Sequence, residues 1–383
     1  MRVLMPTDVY FPRINGVSTS IETFRASLRE RNVDIVVVAP EYGPGPTEPG
    51  VVRVPARRVP MDPEDRLMRW RPLNRTLLDA ARNPFDLIHV QTPFAAHYAG
   101  TSLARRLGLP VIATYHTHFE EYFHHYLPWL PRALLRMAAR RLARVQCNSL
   151  DAVVVPSRAM ENALRDYGVE APLHVLPTGI PGGQFAAGNR EGFRARYGIP
   201  ARRPMALFVG RVAHEKNIGF LLEAMGHLRA STPELLLLVA GEGPALPSLR
   251  AMAHRLGLET QVRFVGYQDR HRDLADCYAA ADVFVFASRT ETQGLVLLEA
   301  MAAGLPVYAL AEMGTRDILS PGRGSAIAPD DPASFAKGLA DLLRDKPRLA
   351  RLAADGPAYA AEWSADSRAG QMADLYRRIT ARR

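Results

Sequence analysis

Two glutamates, Glu291 and Glu299, flank a stretch that turns at Gly294, runs apolar at helical spacing and stops at Gly304. The pattern predicts a loop, a helix from about Gly294 and a glycine C-cap at Gly304. Glu291 then precedes the helix and Glu299 lies on its second turn, while the N–H groups of Gly294, Leu295 and Val296 are offered to an anion. A carboxylate beside a phosphate is repelled by it, so the arrangement makes sense where the glutamates bind hydroxyls and the amides hold the charge. A sugar nucleotide has that distribution, with a hydroxyl-rich ring at each end of a diphosphate. Glu299 is expected at the ribose and Glu291 at the transferred sugar. Hydrolysis by a carboxylate pair fits less well, because eight helical residues rise about 12 Å while hydrolase carboxyls stand roughly 5 to 9.5 Å apart. The spacing alone leaves open an amphipathic helix with solvated ends.

Other stretches carry complementary chemistry. The apolar run Met205–Val209 ends in a loop holding Arg211 and Lys216 before a helix near Ile218, which offers a diphosphate one fork-shaped and one point cation. Gly16 lies in a loop after the first strand that lacks the G-x-G-x-x-G of a dinucleotide fold, so an oxidoreductase loses its main support. His116 and His118 follow the strand Val111–Thr114, where a histidine can bond a substrate hydroxyl or handle a proton near neutral pH. A His-x-His metal pair has no obvious third ligand. Gly241-Glu242-Gly243-Pro244 reads as a tight turn able to line a nucleotide pocket, and Ser157 as a helix N-cap.

The spacing Glu291-x7-Glu299, with Gly294 three residues after the first glutamate and Glu-Ala-Met-Ala-Ala-Gly closing the helix, resembles the signature of retaining glycosyltransferases of family 4. That resemblance implies a GT-B fold of two doubly wound α/β domains, Rossmann-like, facing a cleft. It implies that Arg211 and Lys216 neutralise the leaving diphosphate, that Gly16 lets the first loop approach the donor phosphates, and that His116 contacts the transferred sugar. It also implies that the backbone near Val265 meets the base, beside Gly243, and that neither a metal nor another cofactor is needed. Gln293, and the run Pro177-Thr178-Gly179-Ile180, resemble the diacylglycerol glycosyltransferase branch.

The elements that must position these residues alternate between strand and helix twice along the chain, as in parallel sheets wrapped by helices. We expect an acceptor-binding domain over 1–180, a linker over 181–203 where the periodicity lapses into glycine and proline, and a nucleotide-sugar domain over 204–363. The resemblance implies that a helix within 364–383 crosses back onto the first domain.

At 383 residues with 48% hydrophobic content the chain is long enough for two cores. Its two cysteines suggest neither a disulfide framework nor a zinc site. The net charge of +9 points to an anionic partner. Trp129, Arg132, Arg136, Arg140, Arg141 and Arg144 lie in or just before a basic amphipathic helix, suited to an anionic bilayer; a solvated helix packed inward on its leucines is the alternative. Nucleic acid is not expected, for want of a stacking platform or binding motif. No run approaches the roughly 20 apolar residues of a membrane span, so the chain is expected in the cytoplasm, with the basic helix holding it peripherally on the inner face of the membrane. The resemblance to the family and to its diacylglycerol branch implies retaining transfer of a hexose, from UDP-glucose, to diacylglycerol. The alternatives are a GDP-mannose-dependent transferase acting on phosphatidylinositol, a transferase with a soluble or polysaccharide acceptor, a GT-B-like epimerase and a non-catalytic sensor.

Overall fold

The computed structural model describes residues 1–43, 48–59, 62–116, 131–270 and 272–382. The chain divides into two units, Met1–Gly179 with Ala365–Arg383, and Ile180–Ser364.

The first unit contains β1 (Arg2–Pro6), α1 (Gly16–Arg29), β2 (Asp34–Pro40), β3 (Val51–Val54), β4 (Ala56–Val59), β5 (Asp62–Met68), α2 (Trp70–Ala80), β6 (Leu87–Val90) and α3 (Ala95–Leu107). It continues with β7 (Val111–Thr114), α4 (Arg132–Cys147), β8 (Ala152–Val155), α5 (Arg158–Asp166) and β9 (Leu173–Val175). Seven strands form a parallel sheet in the order β3-β2-β1-β6-β7-β8-β9, and β4 pairs with β5 as an antiparallel hairpin. Strands such as Leu-Ile-His-Val at β6 are buried along their whole length, as a sheet covered on both faces requires. From β1 the chain winds outward through β2 and β3, then returns to β6 on the other side. The topological switch therefore falls between β1 and β6, where the loops at the strand C-termini diverge.

The second unit repeats the logic with α6 (Arg190–Arg196), β10 (Met205–Val209), α7 (Ile218–Leu228), β11 (Leu236–Ala240), α8 (Leu246–Arg255), β12 (Val262–Gly266), α9 (Leu274–Ala280) and β13 (Val283–Phe286). After these come α10 (Leu295–Ala302), β14 (Val307–Ala309), α11 (Thr315–Leu319), β15 (Ser325–Ile327), α12 (Pro332–Arg344) and α13 (Lys346–Ala361). The parallel order β12-β11-β10-β13-β14-β15 puts the switch between β10 and β13.

The stretch 181–203, expected to be a linker, is instead folded into the second unit. Phe185, Phe193 and Ile199 are buried in its core. The buried Arg194 donates to the carbonyls of Ala280, Pro200, Ala201 and Arg203 and pairs with Asp282. Its glycines and prolines interrupt the helical period, but two aromatic rings and one satisfied arginine anchor it. The last helix, α14 (Ala365–Thr380), packs on the first unit, burying Ala369, Met372, Ala373 and Tyr376 among Val3, Ile35, Leu87 and Ile112. Among the described residues no helix is long and apolar enough to cross a membrane.

Candidate active site

In the second unit the loops after β10 and β13 meet at the switch point. The Asn217 side chain donates to the Ala287 carbonyl at 3.0 Å and the Ser288 hydroxyl to the Glu215 carbonyl at 3.1 Å, so the two loops are tied together. These bonds bring Lys216 onto Glu291, the two forming an ion pair. Arg211 lies beside them, with one guanidinium nitrogen 3.7 Å from Glu215. The Gly314 N–H donates to the Glu291 carbonyl at 2.8 Å, and a Cβ on Gly314 would stand 2.0 Å from the Thr292 carbonyl oxygen, so the loop after β14 fixes the backbone carrying Glu291.

Helix α10 begins one residue beyond the expected glycine. Gly294 is its N-cap with φ +94°, a left-handed conformation that glycine adopts at little cost. It supplies no side-chain cap, and the opening N–H groups at Leu295 and Val296 precede the first backbone bond, from the Leu297 N–H to the Gly294 carbonyl at 3.0 Å. A helix end built this way presents amides and the positive end of the dipole. Gly304, just past the C-cap, has φ +71° and closes the helix.

Glu299 is on the second turn, as the spacing predicts, but it is buried. Its carboxylate accepts from the Tyr278 hydroxyl at 2.9 Å and pairs with Arg270 at 2.6 Å. The burial raises the Tyr278 hydroxyl well above its ordinary value, with the neighbouring carboxylate acting in the same direction. Neither partner is visible in the local sequence around Glu299. A ribose reaching this carboxylate has to share it with Arg270 and Tyr278.

Gly243 lies after β11 with φ +156°, and a Cβ there would stand 2.4 Å from the Val212 carbonyl oxygen. The turn and the β10 loop therefore touch backbone to backbone, with the Val212 N–H bonded to the Glu242 carbonyl at 2.8 Å. Val265 is on β12, the edge strand, two strands from β10, which precedes Lys216, and three from β13, which precedes Glu291.

In the first unit Gly16 opens α1, with Asn15 capping the helix through a reciprocal bond with Ser18. Its φ is not left-handed, and an added Cβ would meet nothing within 4 Å. The fold itself therefore makes no demand for glycine at that position. Across the switch, Asp8 exchanges two bonds with Thr92, each 2.7 Å, and its carboxylate accepts from the Ala96 N–H at 3.2 Å. It caps α3, whose own N-cap Phe94 has no capping side chain. Burial pushes Asp8 up to about 6, against the hydrogen bonds from Thr92 and Ala96. Asp8 is not singled out by any local motif, because its partners lie more than 80 residues away.

His116 follows β7 and its Nε2 lies 2.8 Å from Gln91 Oε1. Burial holds it down at about 4, so the imidazole is neutral at physiological pH and suited to hydrogen bonding more than to proton transfer. His118 lies outside the described residues. Burial similarly lowers His89 to about 3, with the nearby His116 contributing, and His97 to about 4. Between about pH 6.5 and 4 the unfolded chain binds protons on these three rings that the folded chain does not, so acidification destabilises. Asp8 opposes this, since its raised value means that the folded chain holds a proton the unfolded chain has released. Three groups against one leave a net loss on the order of 2 kcal/mol per pH unit near pH 5. The thermal midpoint is expected to fall steeply from pH 6.5 to 4.5, and His97→Asn to make the fall shallower. A flat profile, or an unchanged slope in the variant, would contradict the assignment of neutral buried histidines.

Helix α4 turns Leu135, Ala139, Ala143 and Cys147 inward, while Arg136, Arg140, Arg141 and Arg144 share the exposed face with Leu134, Met137 and Val145. Arg140 lies over the Tyr167 ring at 5.2 Å. Arg132 opens the helix, but its side chain, like the whole of Trp129, lies outside the described residues. The inward leucine predicted by the alternative reading is present, yet three apolar side chains remain outside with the arginines.

Residues 14–181 match the family model described as Glycosyltransferase Family 4, and residues 189–358 that described as Glycosyl transferases group 1. The chain belongs to glycosyltransferase family 4 and has the GT-B fold of two Rossmann-like parallel-sheet units. It is 34% identical over 318 residues to the alpha-monoglucosyldiacylglycerol synthase of Streptococcus pneumoniae, covering 81% of this chain and 71% of that one. It is also 30% identical over 362 residues to a GDP-mannose-dependent alpha-mannosyltransferase of Mycobacterium tuberculosis, covering 91% and 90%. The sucrose-phosphate synthase structure from Thermosynechococcus elongatus superposes with a TM-score of 0.83 at 22% identity, over 100% of both chains.

Proposed function

We propose that this glycosyltransferase moves a hexose from a nucleotide sugar, UDP-glucose in the first instance, to diacylglycerol at an anionic membrane surface, with retention at the anomeric carbon and without a metal. The observation that carries the reading is the Lys216–Glu291 pair beside the α10 N-terminus at the switch point of the second sheet. The relative that is a monoglucosyldiacylglycerol synthase supports the sugar and the acceptor.

Before donor binds, Lys216 and Glu291 neutralise one another. The donor diphosphate takes Lys216, Arg211 and the amides of Gly294 and Leu295, which frees Glu291 to accept from hydroxyls of the hexose. Charge developing on the leaving diphosphate is then met by groups already in place, an electrostatic effect that needs no reorganisation at the moment of reaction. The donor phosphate itself takes the acceptor proton during attack from the same face, so no protein nucleophile is invoked. Glu299 binds the ribose while Arg270 and Tyr278 hold its carboxylate, and Gly243 and Val265 line the nucleotide. His116, neutral, bonds a sugar hydroxyl. Gly16, with open space where a Cβ would stand, admits the donor phosphates. The exposed arginines of α4, with Leu134, Met137 and Val145 among them, form the surface offered to anionic lipid on the cytoplasmic side.

The test is transfer of label from UDP-glucose, UDP-galactose, UDP-glucuronate and GDP-mannose to diacylglycerol in vesicles with and without phosphatidylglycerol. We expect UDP-glucose to label lipid, and labelling to rise with phosphatidylglycerol. Label from GDP-mannose alone would favour the mannosyltransferase reading, which the second relative supports. Labelling of a soluble acceptor only would remove the lipid half of the proposal.

A further inference from the structure

The sheet face under α14 is largely apolar, and a line of buried polar side chains crosses it at β6 and β7. The His89 ring is buried at β6, with Nδ1 2.7 Å from the Tyr376 hydroxyl and Nε2 2.7 Å from Thr114 Oγ1. Gln91, also buried, meets His116. The parallel register pairs His89 with Ile112 and Val90 with Ala113. His89 and Gln91 therefore lie two residues apart on one face of their strand and its extension, and Thr114 and His116 do the same on the next strand. The result is two cross-strand rungs, His89 to Thr114 and Gln91 to His116, with Tyr376 of the C-terminal helix fastened to the far end.

Such a line is costly unless every member is paired, since a buried polar group without a partner loses its hydration and gains nothing. An apolar residue at position 89 would pack against Leu87, Ile112 and α14 without that demand. The rungs do something that packing does not, because they are directional. A neutral imidazole donates from one nitrogen and accepts at the other, so Tyr376 and Thr114 must take opposite roles at His89, and the ring cannot rotate without breaking both bonds. The orientation of Thr114 is thereby fixed two residues before His116. Thr92, next to Gln91, is clasped by Asp8, so the other end of the second rung is fixed as well.

We propose that His89, Thr114, Gln91 and Tyr376 are positioning residues for His116, and that α14 sets turnover through them. The inference rests on His116 being a substrate contact. It distinguishes two roles for α14. A helix that only covers the sheet would tolerate Tyr376→Phe at the level of catalysis, whereas a helix that orients His116 would not.

The experiment compares full-length Thr114→Val, Thr114→Ser, Tyr376→Phe and His116→Ala in transfer from UDP-glucose to diacylglycerol vesicles, together with the imidazole nitrogen NMR shifts of His116. Thr114→Val and Tyr376→Phe are expected to lower kcat about tenfold while the donor KM stays within about twofold, and to move the His116 shifts. Thr114→Ser keeps the hydroxyl and is expected to restore both kcat and the shifts. Wild-type kcat and unmoved shifts in Thr114→Val and Tyr376→Phe, with His116→Ala inactive, would overturn the inference and leave the site standing. A fully active His116→Ala would overturn the reading on which the inference rests.

Discussion

Glu291→Ala is expected to abolish transfer, lowering kcat about a thousandfold while the fold survives. Glu291 is partly exposed, and its carboxylate pairs with Lys216, which is itself partly exposed. A pair in that setting contributes little to stability, within about 1 kcal/mol. Its backbone is held independently through Gly314. The expected loss is that of the carboxylate proposed to bind the hexose hydroxyls, with Lys216 deprived of this counter-ion. Glu291→Gln, which keeps the shape and loses the charge, is expected to fall between the wild type and the alanine variant. Steady-state kinetics and a melting curve check the prediction together. Full activity in Glu291→Ala would remove it from the site.

Lys216→Ala is expected to cost a hundredfold or more, to the order seen when one preorganised donor is removed from a developing anion. The lysine sits in a short 3-10 turn, His214–Lys216, that follows β10, and Asn217 closes that turn at φ 54°. The side chain is thus carried on a short, tied segment, and the Ser288 and Asn217 bonds across to the β13 loop do not involve it. Lys216→Arg is not expected to rescue, because a planar fork in place of a compact ammonium cannot occupy the same point beside both Glu291 and a phosphate. Donor KM should rise along with the loss in kcat, since the lysine meets charge already present in the ground state. An unchanged donor KM and kcat would show that Arg211 and the α10 end suffice.

Much of this site is legible in the sequence, because its pieces lie on local patterns. The Gly294 turn, the apolar run and Gly304 specify a helix end, and the same stretch fixes which turn carries Glu299. The loop after Met205–Val209 places Arg211 and Lys216 at a strand C-terminus. Pairings across long separations leave no such mark. Nothing near Lys216 announces Glu291, 75 residues on, and nothing near Glu299 announces Arg270 or Tyr278. His89 lies in an otherwise apolar strand, and that lone polar residue was the available signal for the ladder to Tyr376. The stretch 181–203 misled for the opposite reason: its glycines and prolines break the helical period while Phe185 and Phe193 still anchor it in a core.

A proton NMR spectrum of the chloroform-soluble product formed from UDP-glucose and diacylglycerol vesicles reads the sugar, its attachment and its anomeric configuration at once. A single α-linked glucose on the free glycerol hydroxyl is expected, the configuration of the donor retained. A β-linked product, or free glucose with unchanged lipid, would contradict the proposed function.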